Sequence, residues 1–146
     1  HIGPGQSKRF AISNFGRQIA LIKLGKAAPV LCVGDVNTTR DFSDVRDIVS
    51  AYEKLLDFGH NGEVYNVCSG IERSIRSLIE RMCQLVDVSV EIQEDYERSR
   101  LNEQRRVWGD NRKIIKTTSW STSYSIDETL IAIVEDWIVR IYENER

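Results

Sequence analysis

Residues 30–47, with the sequence VLCVGDVNTTRDFSDVRD, decide the fold class because they join a strand to a helix. The first four of these residues are all apolar and lie between a proline and a glycine, which predicts a short buried strand. From Asp44 onward, apolar residues recur at helical spacing until Gly59, which predicts an amphipathic helix capped by Asp44. A strand followed by a helix is the repeating unit of α/β proteins.

The rest of the chain continues this alternation, in the order α-β-α-β-α-β-α-α. We predict helices over residues 8–24, 44–59 and 111–117, a helix capped by Ser74, and a last helix opened by the capping box of Ser125 and Glu128. Strands are predicted over residues 30–33, 63–68 and 88–92, and the charged stretch 93–106 is predicted to be a loop. The fold class is therefore α/β.

Composition excludes several classes of function. Lys and Arg number 20 against 22 Asp and Glu, a balance that argues against a general binder of nucleic acids or anionic membranes. The cysteines, Cys32, Cys68 and Cys83, match neither a disulfide framework nor a zinc site. We interpret them as free thiols in apolar surroundings, which places the protein in the reducing cytoplasm.

Three polar clusters could bind a ligand. One of them, residues 1–7, is a flexible turn before the first helix, whose backbone could approach a ligand closely although the signal alone is weak. The cluster 38–47 follows a predicted strand, where ligands of α/β proteins bind, but it is equally explained as a helix cap with an ion pair. Residues 98–106 contain four arginines, a composition suited to a diphosphate or to RNA and also typical of a solvated charged surface. We found no phosphate-binding loop, no nucleophile motif and no metal-ligand spacing, so no residue is assigned a catalytic or metal-binding role.

Five segments together resemble one family. They are residues 1–6 (HIGPGQ), 40–47 (RDFSDVRD), 62–70 (GEVYNVCSG), the pair Arg100 and Glu103, and 108–111 (WGDN). These segments resemble the carboxy-terminal half of the extended short-chain dehydrogenase/reductases that act on nucleotide sugars. Within that family the reductases of GDP-linked 4-keto-6-deoxymannose are more similar than the GDP-mannose 4,6-dehydratases. The resemblance implies the carboxy-terminal part of a Rossmann-type NAD(P)-binding fold, with a small mixed sheet and flanking helices.

The resemblance also implies roles for individual residues. Arg40 would contact the pyrophosphate of the nucleotide sugar, and Arg100 and Glu103 would contact the pyrophosphate and the ribose. Asn14 would lie near the nucleotide. The residues implied to lie beside the nicotinamide of the cofactor are His1, Ile2 and Gly3.

The implied activity is reduction of the C4 keto group of a GDP-sugar by NADP(H) or NAD(H). The sequence contains neither the G-x-x-G-x-x-G loop nor the Tyr-x-x-x-Lys pair of the family. We therefore expect residues 1–146 to be one substrate-binding domain, inactive alone, whose cofactor is bound mainly by a missing amino-terminal half. The alternatives are a fragment of a GDP-mannose 4,6-dehydratase and a stand-alone, non-catalytic module that binds nucleotide sugars.

The resemblance has a structural consequence for residues 44–70, which are expected to pack on the absent Rossmann domain. Without that domain the apolar stripe of Val45, Ile48, Val49, Tyr52 and Leu55 would be exposed. Exposed apolar surface promotes association, so we expect a homo-oligomer.

Overall fold

The computed structural model describes residues 1–95 and 104–143, which form five helices and five short strands in these ranges. The helices are α1 (Ala11–Lys23), α2 (Val45–Phe58), α3 (Ile75–Leu85), α4 (Arg112–Thr118) and α5 (Ile126–Glu143). The strands are β1 (Val30–Val33), β2 (Thr39–Asp41), β3 (Glu72–Ser74), β4 (Glu91–Glu94) and β5 (Arg106–Val107). The predicted α/β class is confirmed.

The strands form two small sheets. In one, β1 pairs in parallel with β4, so that Val30 lies opposite Glu91 and Val33 opposite Glu94. In the other, β2 is central, with β3 antiparallel on one side and β5 parallel on the other. This second sheet is mixed, as the resemblance implies.

The main core lies between α1, α3, α5 and β1. Its fully buried side chains include Ile12, Ile19, Leu31, Ile79, Met82, Leu130 and Ile133. Helices α1 and α5 pack closely at Gly16, where an added Cβ would lie 2.6 Å from Cγ2 of Ile133. Beside this contact, the indole Nε1 of Trp137 donates a hydrogen bond of 3.0 Å to Oγ of Ser13. The core therefore fixes α1 and β1 relative to each other.

The strand predicted over residues 63–68 is wrong. The alternation behind the prediction is real, because Tyr65 and Val67 are half-buried against a small cluster around Trp120 while Val64 and Asn66 are exposed. Among the described residues, however, no neighbouring strand forms a ladder with this segment. A strand exists only where a second backbone pairs with it.

Pairing also moves the third predicted strand. This strand was expected over residues 88–92, whereas β4 is Glu91–Glu94. Only residues 91–94 pair with β1, and this pairing sets the bounds of β4. The predicted loop over 93–106 is accordingly wrong at both ends, where β4 and β5 extend into it. The short strands β2 and β3 were missed because their residues are polar or charged and carry no apolar alternation.

Helix α2 has apolar residues on two sides. Ile48 and Ala51 are buried within the chain, and Leu55 is half-buried against Trp120 and its neighbours, so the expectation that Ile48 and Leu55 are exposed is wrong. Val45, Val49 and Tyr52 are exposed, as expected, and so is Leu56, at 88% of its surface. The helix is therefore only half covered by the described residues.

The predicted caps are all present. Ser74 accepts a hydrogen bond from the backbone N–H of Ser77, and Ser125 and Glu128 form the reciprocal capping box. The three cysteines are free thiols, with Cys83 buried and the other two half-buried.

Asp44 does more than cap α2. Its Oδ1 accepts from the backbone N–H of Arg46 at 2.8 Å, and its Oδ2 accepts from Arg46 Nη2 at 2.7 Å and from Oγ1 of Thr129 at 2.8 Å. Burial raises the pKa of this carboxyl, but the hydrogen bonds from Arg46 and Thr129 outweigh it, so the pKa lies below 3.8. Asp44 thus joins the start of α2 to α5.

We predict that Asp44→Asn destabilises the protein at about pH 7 and that this loss shrinks in acid. Because the pKa of Asp44 is lowered on folding, its contribution is present above its unfolded pKa and disappears as the pH falls through the folded pKa. The expected loss near pH 7 is about 1.5–3 kcal/mol, since the hydrogen bonds are charge-assisted. Urea unfolding between about pH 7 and pH 3 measures it.

The matched control is Asp57→Asn, at an exposed position of the same helix. The control should change the free energy of unfolding by less than about 0.5 kcal/mol. An Asp44→Asn loss that stays constant down to acid pH would contradict the assigned role.

Candidate functional site

A cleft of about 420 Å³ lies where β1 ends. Gly34 and Asp35, which directly follow β1, line it, together with Asn14 of α1 and Arg40 of β2. Ligands of α/β proteins bind beyond the carboxyl ends of parallel strands, and small-molecule pockets span roughly 300–1,000 Å³. Two of the residues predicted to bind substrate, Asn14 and Arg40, therefore share one cleft of suitable size and position.

Strand alternation aims Arg40 at the cleft. Successive side chains of a strand point to opposite faces, so Thr38, Arg40 and Phe42 line the cleft while Thr39 and Asp41 point away from it. Arg40 is half-buried, and its Nη1 donates a hydrogen bond of 2.7 Å to the backbone oxygen of Thr39. A guanidinium anchored in this way is suited to a phosphate, which it can meet with two parallel hydrogen bonds.

Asp41 holds the neighbouring loops on the opposite face of β2. Its Oδ1 accepts from the backbone N–H and the hydroxyl of Ser69 at 2.9 and 2.6 Å, and its Oδ2 accepts from the backbone N–H of Gly70 at 2.8 Å. The backbone N–H of Gly109 lies 3.4 Å from the same Oδ2. One carboxylate thus binds two loops that are distant in sequence.

Those two loops also contact each other directly. Nδ2 of Asn111 donates to the backbone oxygen of Cys68 at 3.0 Å. An added Cβ at Gly109 would lie 2.5 Å from Sγ of Cys68, so only glycine fits there. Burial, followed by the charge of Asp41, raises the pKa of the Cys68 thiol, which is therefore not activated as a nucleophile. The segments 62–70 and 108–111, which carry much of the family resemblance, form one hydrogen-bonded unit around Asp41.

The arginine-rich cluster is only partly described. Arg100 and Glu103 lie outside the described residues. Arg106 forms an ion pair with Glu72, with Nε 2.7 Å from Oε1, and its guanidinium lies 4.2 Å from the centre of the Trp108 ring. Arg106 therefore ties β5 to β3, and Thr39 also donates a hydrogen bond to Glu72.

His1, Ile2 and Gly3 line a different cleft, of about 220 Å³. The backbone N–H of Ile2 donates to Ser43 O at 3.0 Å, and the N–H of Val45 donates to Ile2 O at 2.9 Å. The Ile2 side chain is buried in the core, and an added Cβ at Gly3 would lie 2.7 Å from Cγ1 of Val45. The structure does not bring these residues into the cleft of Asn14 and Arg40.

Sequence reasoning missed three residues of the larger cleft: Arg9, Phe10 and Asp35. Asp35 could have been identified as a candidate binding residue, because it lies just after a predicted buried strand, where ligands of α/β proteins bind. Arg9 and Phe10 precede α1 and belong to no motif, so only the packing of α1 beside β1 reveals them. Among residues 1–95 and 104–143, no group of three His, Cys, Asp or Glu side chains could hold a metal ion. In the same ranges, no helix is both long and apolar enough to cross a bilayer.

Comparison with known proteins identifies the family. Residues 1–133 match the family profile of GDP-mannose 4,6 dehydratase. The chain belongs to the GDP-mannose 4,6-dehydratase family. The resemblance to extended short-chain dehydrogenase/reductases acting on nucleotide sugars is thereby confirmed.

The proteins to which this chain is similar include a reductase and an epimerase. The chain is 48% identical, over 98% of its length, to the GDP-6-deoxy-D-mannose reductase of Pseudomonas aeruginosa, of which it covers 47%. It superimposes with a TM-score of 0.90 and 46% identity on the structure of RMD from Pseudomonas aeruginosa complexed with NADPH, covering 96% of this chain and 46% of that one. The chain also superimposes on a UDP-glucuronic acid 4-epimerase from Bacillus cereus in complex with UDP-glucuronic acid and NAD. The TM-score is 0.77 and the identity 26%, over 96% of this chain and 43% of that one. The chain thus spans about half the length of these relatives.

We predict that Asp41→Asn lowers the free energy of unfolding by at least about 1.5 kcal/mol. Asparagine has only one acceptor oxygen and no charge. It can therefore accept from Ser69 or from Gly70 but not from both, and the remaining hydrogen bonds are not charge-assisted. Ser69→Ala removes only the hydroxyl donor and serves as a graded control with a smaller expected loss. Urea unfolding of both variants measures the difference, and an equal loss in the two would contradict the role of the Asp41 charge.

Proposed function

We propose that this chain is the nucleotide-sugar-binding part of an NAD(P)H-dependent reductase that acts on GDP-linked 4-keto-6-deoxymannose. The observation that carries the proposal is the meeting of Asn14 and Arg40 in one cleft at the end of β1. A second observation supports a reductase: the chain is 48% identical to the Pseudomonas reductase over 98% of its own length.

Arg40 binds the diphosphate in this proposal. Its guanidinium neutralises the charge and donates in a fork that matches phosphate oxygens. Asn14 offers both a donor and an acceptor to the nucleotide, and Arg9 adds a second positive charge to the cleft wall. Arg100 and Glu103 are proposed to contact the pyrophosphate and the ribose. Fixing the diphosphate and nucleotide in this way orients the sugar for reaction.

The residues of this chain fit only the border of a cofactor site. The cleft at His1, Ile2 and Gly3 measures about 220 Å³, below the roughly 300 Å³ at which pockets for whole small molecules begin. We therefore propose that these residues lie beside the nicotinamide and that NADP(H) or NAD(H) is bound mainly by other parts of the protein. The bound cofactor would supply the hydride, and no proton or hydride step is assigned to this chain.

The exposed side of α2 supports a domain contact. We propose that residues 1–146 form one substrate-binding domain whose segment 44–70 packs on a Rossmann domain. Val49, Tyr52 and Leu56 offer an apolar surface. Segment 63–68 has strand-like alternation but pairs with no strand among residues 1–95 and 104–143. The same surface supports homo-oligomer formation, and the three free thiols support a cytoplasmic location.

We predict that Arg40→Ala weakens GDP-sugar binding by about 10- to 150-fold in the protein as it is naturally expressed. This range corresponds to loss of a charge-assisted hydrogen bond, about 1.5–3 kcal/mol. Arg40→Lys keeps the charge but loses the fork, so its effect should be intermediate. Calorimetric titration with GDP and with GDP-mannose measures the dissociation constants.

The control is Arg112→Ala, at an exposed arginine that pairs with Asp110 and does not line the cleft. Its affinity for GDP should equal that of the unsubstituted protein. Unchanged affinity in Arg40→Ala would refute the diphosphate role of Arg40. The reductase activity itself is tested by NADPH oxidation with GDP-4-keto-6-deoxymannose, and absence of turnover would refute the proposed reaction.

A further inference from the structure

Asp35 is the one carboxylate on the wall of the Asn14–Arg40 cleft among the described lining residues. Its position is unexpected for a diphosphate site, because a negative charge repels phosphate. A carboxylate on this wall is suited to a part of the ligand that donates hydrogen bonds. In a nucleoside diphosphate those parts are the base and the ribose.

The carboxylate of Asp35 is held in a fixed orientation. Its Oδ1 accepts from the backbone N–H of Asn37 at 2.8 Å, and its backbone oxygen accepts from Oγ1 of Thr38 at 3.3 Å. These bonds form a turn in which an Asp side chain closes on the backbone two residues later. In the part of the chain that the structure describes, Oδ2 has no hydrogen-bond donor. A preoriented carboxylate with an open oxygen is suited to recognition.

Phe10 supplies a second, independent observation on the same cleft. It occupies the N-cap position of α1, where Ser, Thr, Asp or Asn is preferred, and it makes no side-chain cap hydrogen bond. The residue is 58% exposed and lines the cleft. An exposed aromatic face is a stacking surface for a nucleobase.

We propose that Asp35 selects guanine, with Phe10 stacking on the base. Guanine presents the N1–H and N2–H donors side by side. The open Oδ2 can accept from one of them, and Oδ1 can accept from the other with the lone pair that it does not use for the N–H of Asn37. Adenine presents no such pair of donors. This inference depends on the proposed function, since it assigns the base of the nucleotide whose diphosphate Arg40 binds.

Asp35→Asn tests the inference cleanly. Asparagine keeps Oδ1 as acceptor for the N–H of Asn37, so the turn survives, and only the open oxygen becomes an NH2 group. GDP, IDP, ADP and XDP serve as probes in calorimetric titrations of the naturally expressed protein. Hypoxanthine lacks the N2 donors of guanine, and xanthine carries an acceptor oxygen in their place.

We expect the unsubstituted protein to bind GDP more tightly than IDP, and ADP and XDP most weakly. Asp35→Asn should weaken the binding of GDP by about tenfold or more and the binding of IDP by less. It should leave the affinity for ADP unchanged and increase the affinity for XDP. Asp57→Asn should leave all four affinities unchanged.

An equal loss for GDP, IDP and ADP would overturn the inference, because it would place Asp35 at the ribose, which all of them share. Unchanged GDP affinity would overturn it as well. In both cases GDP binding that is lost in Arg40→Ala would keep the proposed function intact. If the unsubstituted protein binds none of the four nucleotides, the proposed function fails and the base assignment fails with it.

Discussion

Three carboxylates spaced three residues apart, those of Asp41, Asp44 and Asp47, connect β2 and α2 to distant segments of the chain. Asp41 accepts from the backbone of Ser69 and Gly70, and Asp44 accepts from Arg46 and Thr129. Asp47 is 1% exposed and accepts from the backbone N–H of Ser123 at 2.8 Å. Each carboxylate accepts a hydrogen bond from a segment distant in the chain: Asp41 from residues 69–70, Asp44 from the hydroxyl of Thr129, and Asp47 from Ser123. The positions of the loops therefore depend on one short stretch of chain.

The same stretch presents the candidate binding residue. Because β2 alternates, fixing Asp41 against the loops on one face directs Arg40 to the cleft on the other face. The hydrogen bond from Nη1 of Arg40 to the backbone oxygen of Thr39 restricts the orientation of the guanidinium, and a preorganised group favours tight binding. Adjacent residues of β2 thus have different roles. A substitution at Asp41 should lower the free energy of unfolding, whereas a substitution at Arg40 should weaken binding.

Local signals predicted most of the helices and their caps. β1 and α2 follow from apolar patterns, and Asp44, Ser74 and Ser125 cap helices as their types predict. Strands β2, β3 and β5 escaped prediction because their polar residues pair through backbone contacts that no single segment encodes. The meeting of Asn14 and Arg40 was implied by the family resemblance. Asp35 could have been recognised from its place after β1, whereas the role of Phe10 required the packing of α1.

A crystal structure of the naturally expressed protein with GDP bound tests the central claim most directly. The account predicts the diphosphate against the guanidinium of Arg40, in the cleft at the end of β1, with Asp41 still bonded to Ser69 and Gly70. A diphosphate bound elsewhere, with Arg40 turned away from it, would contradict the account.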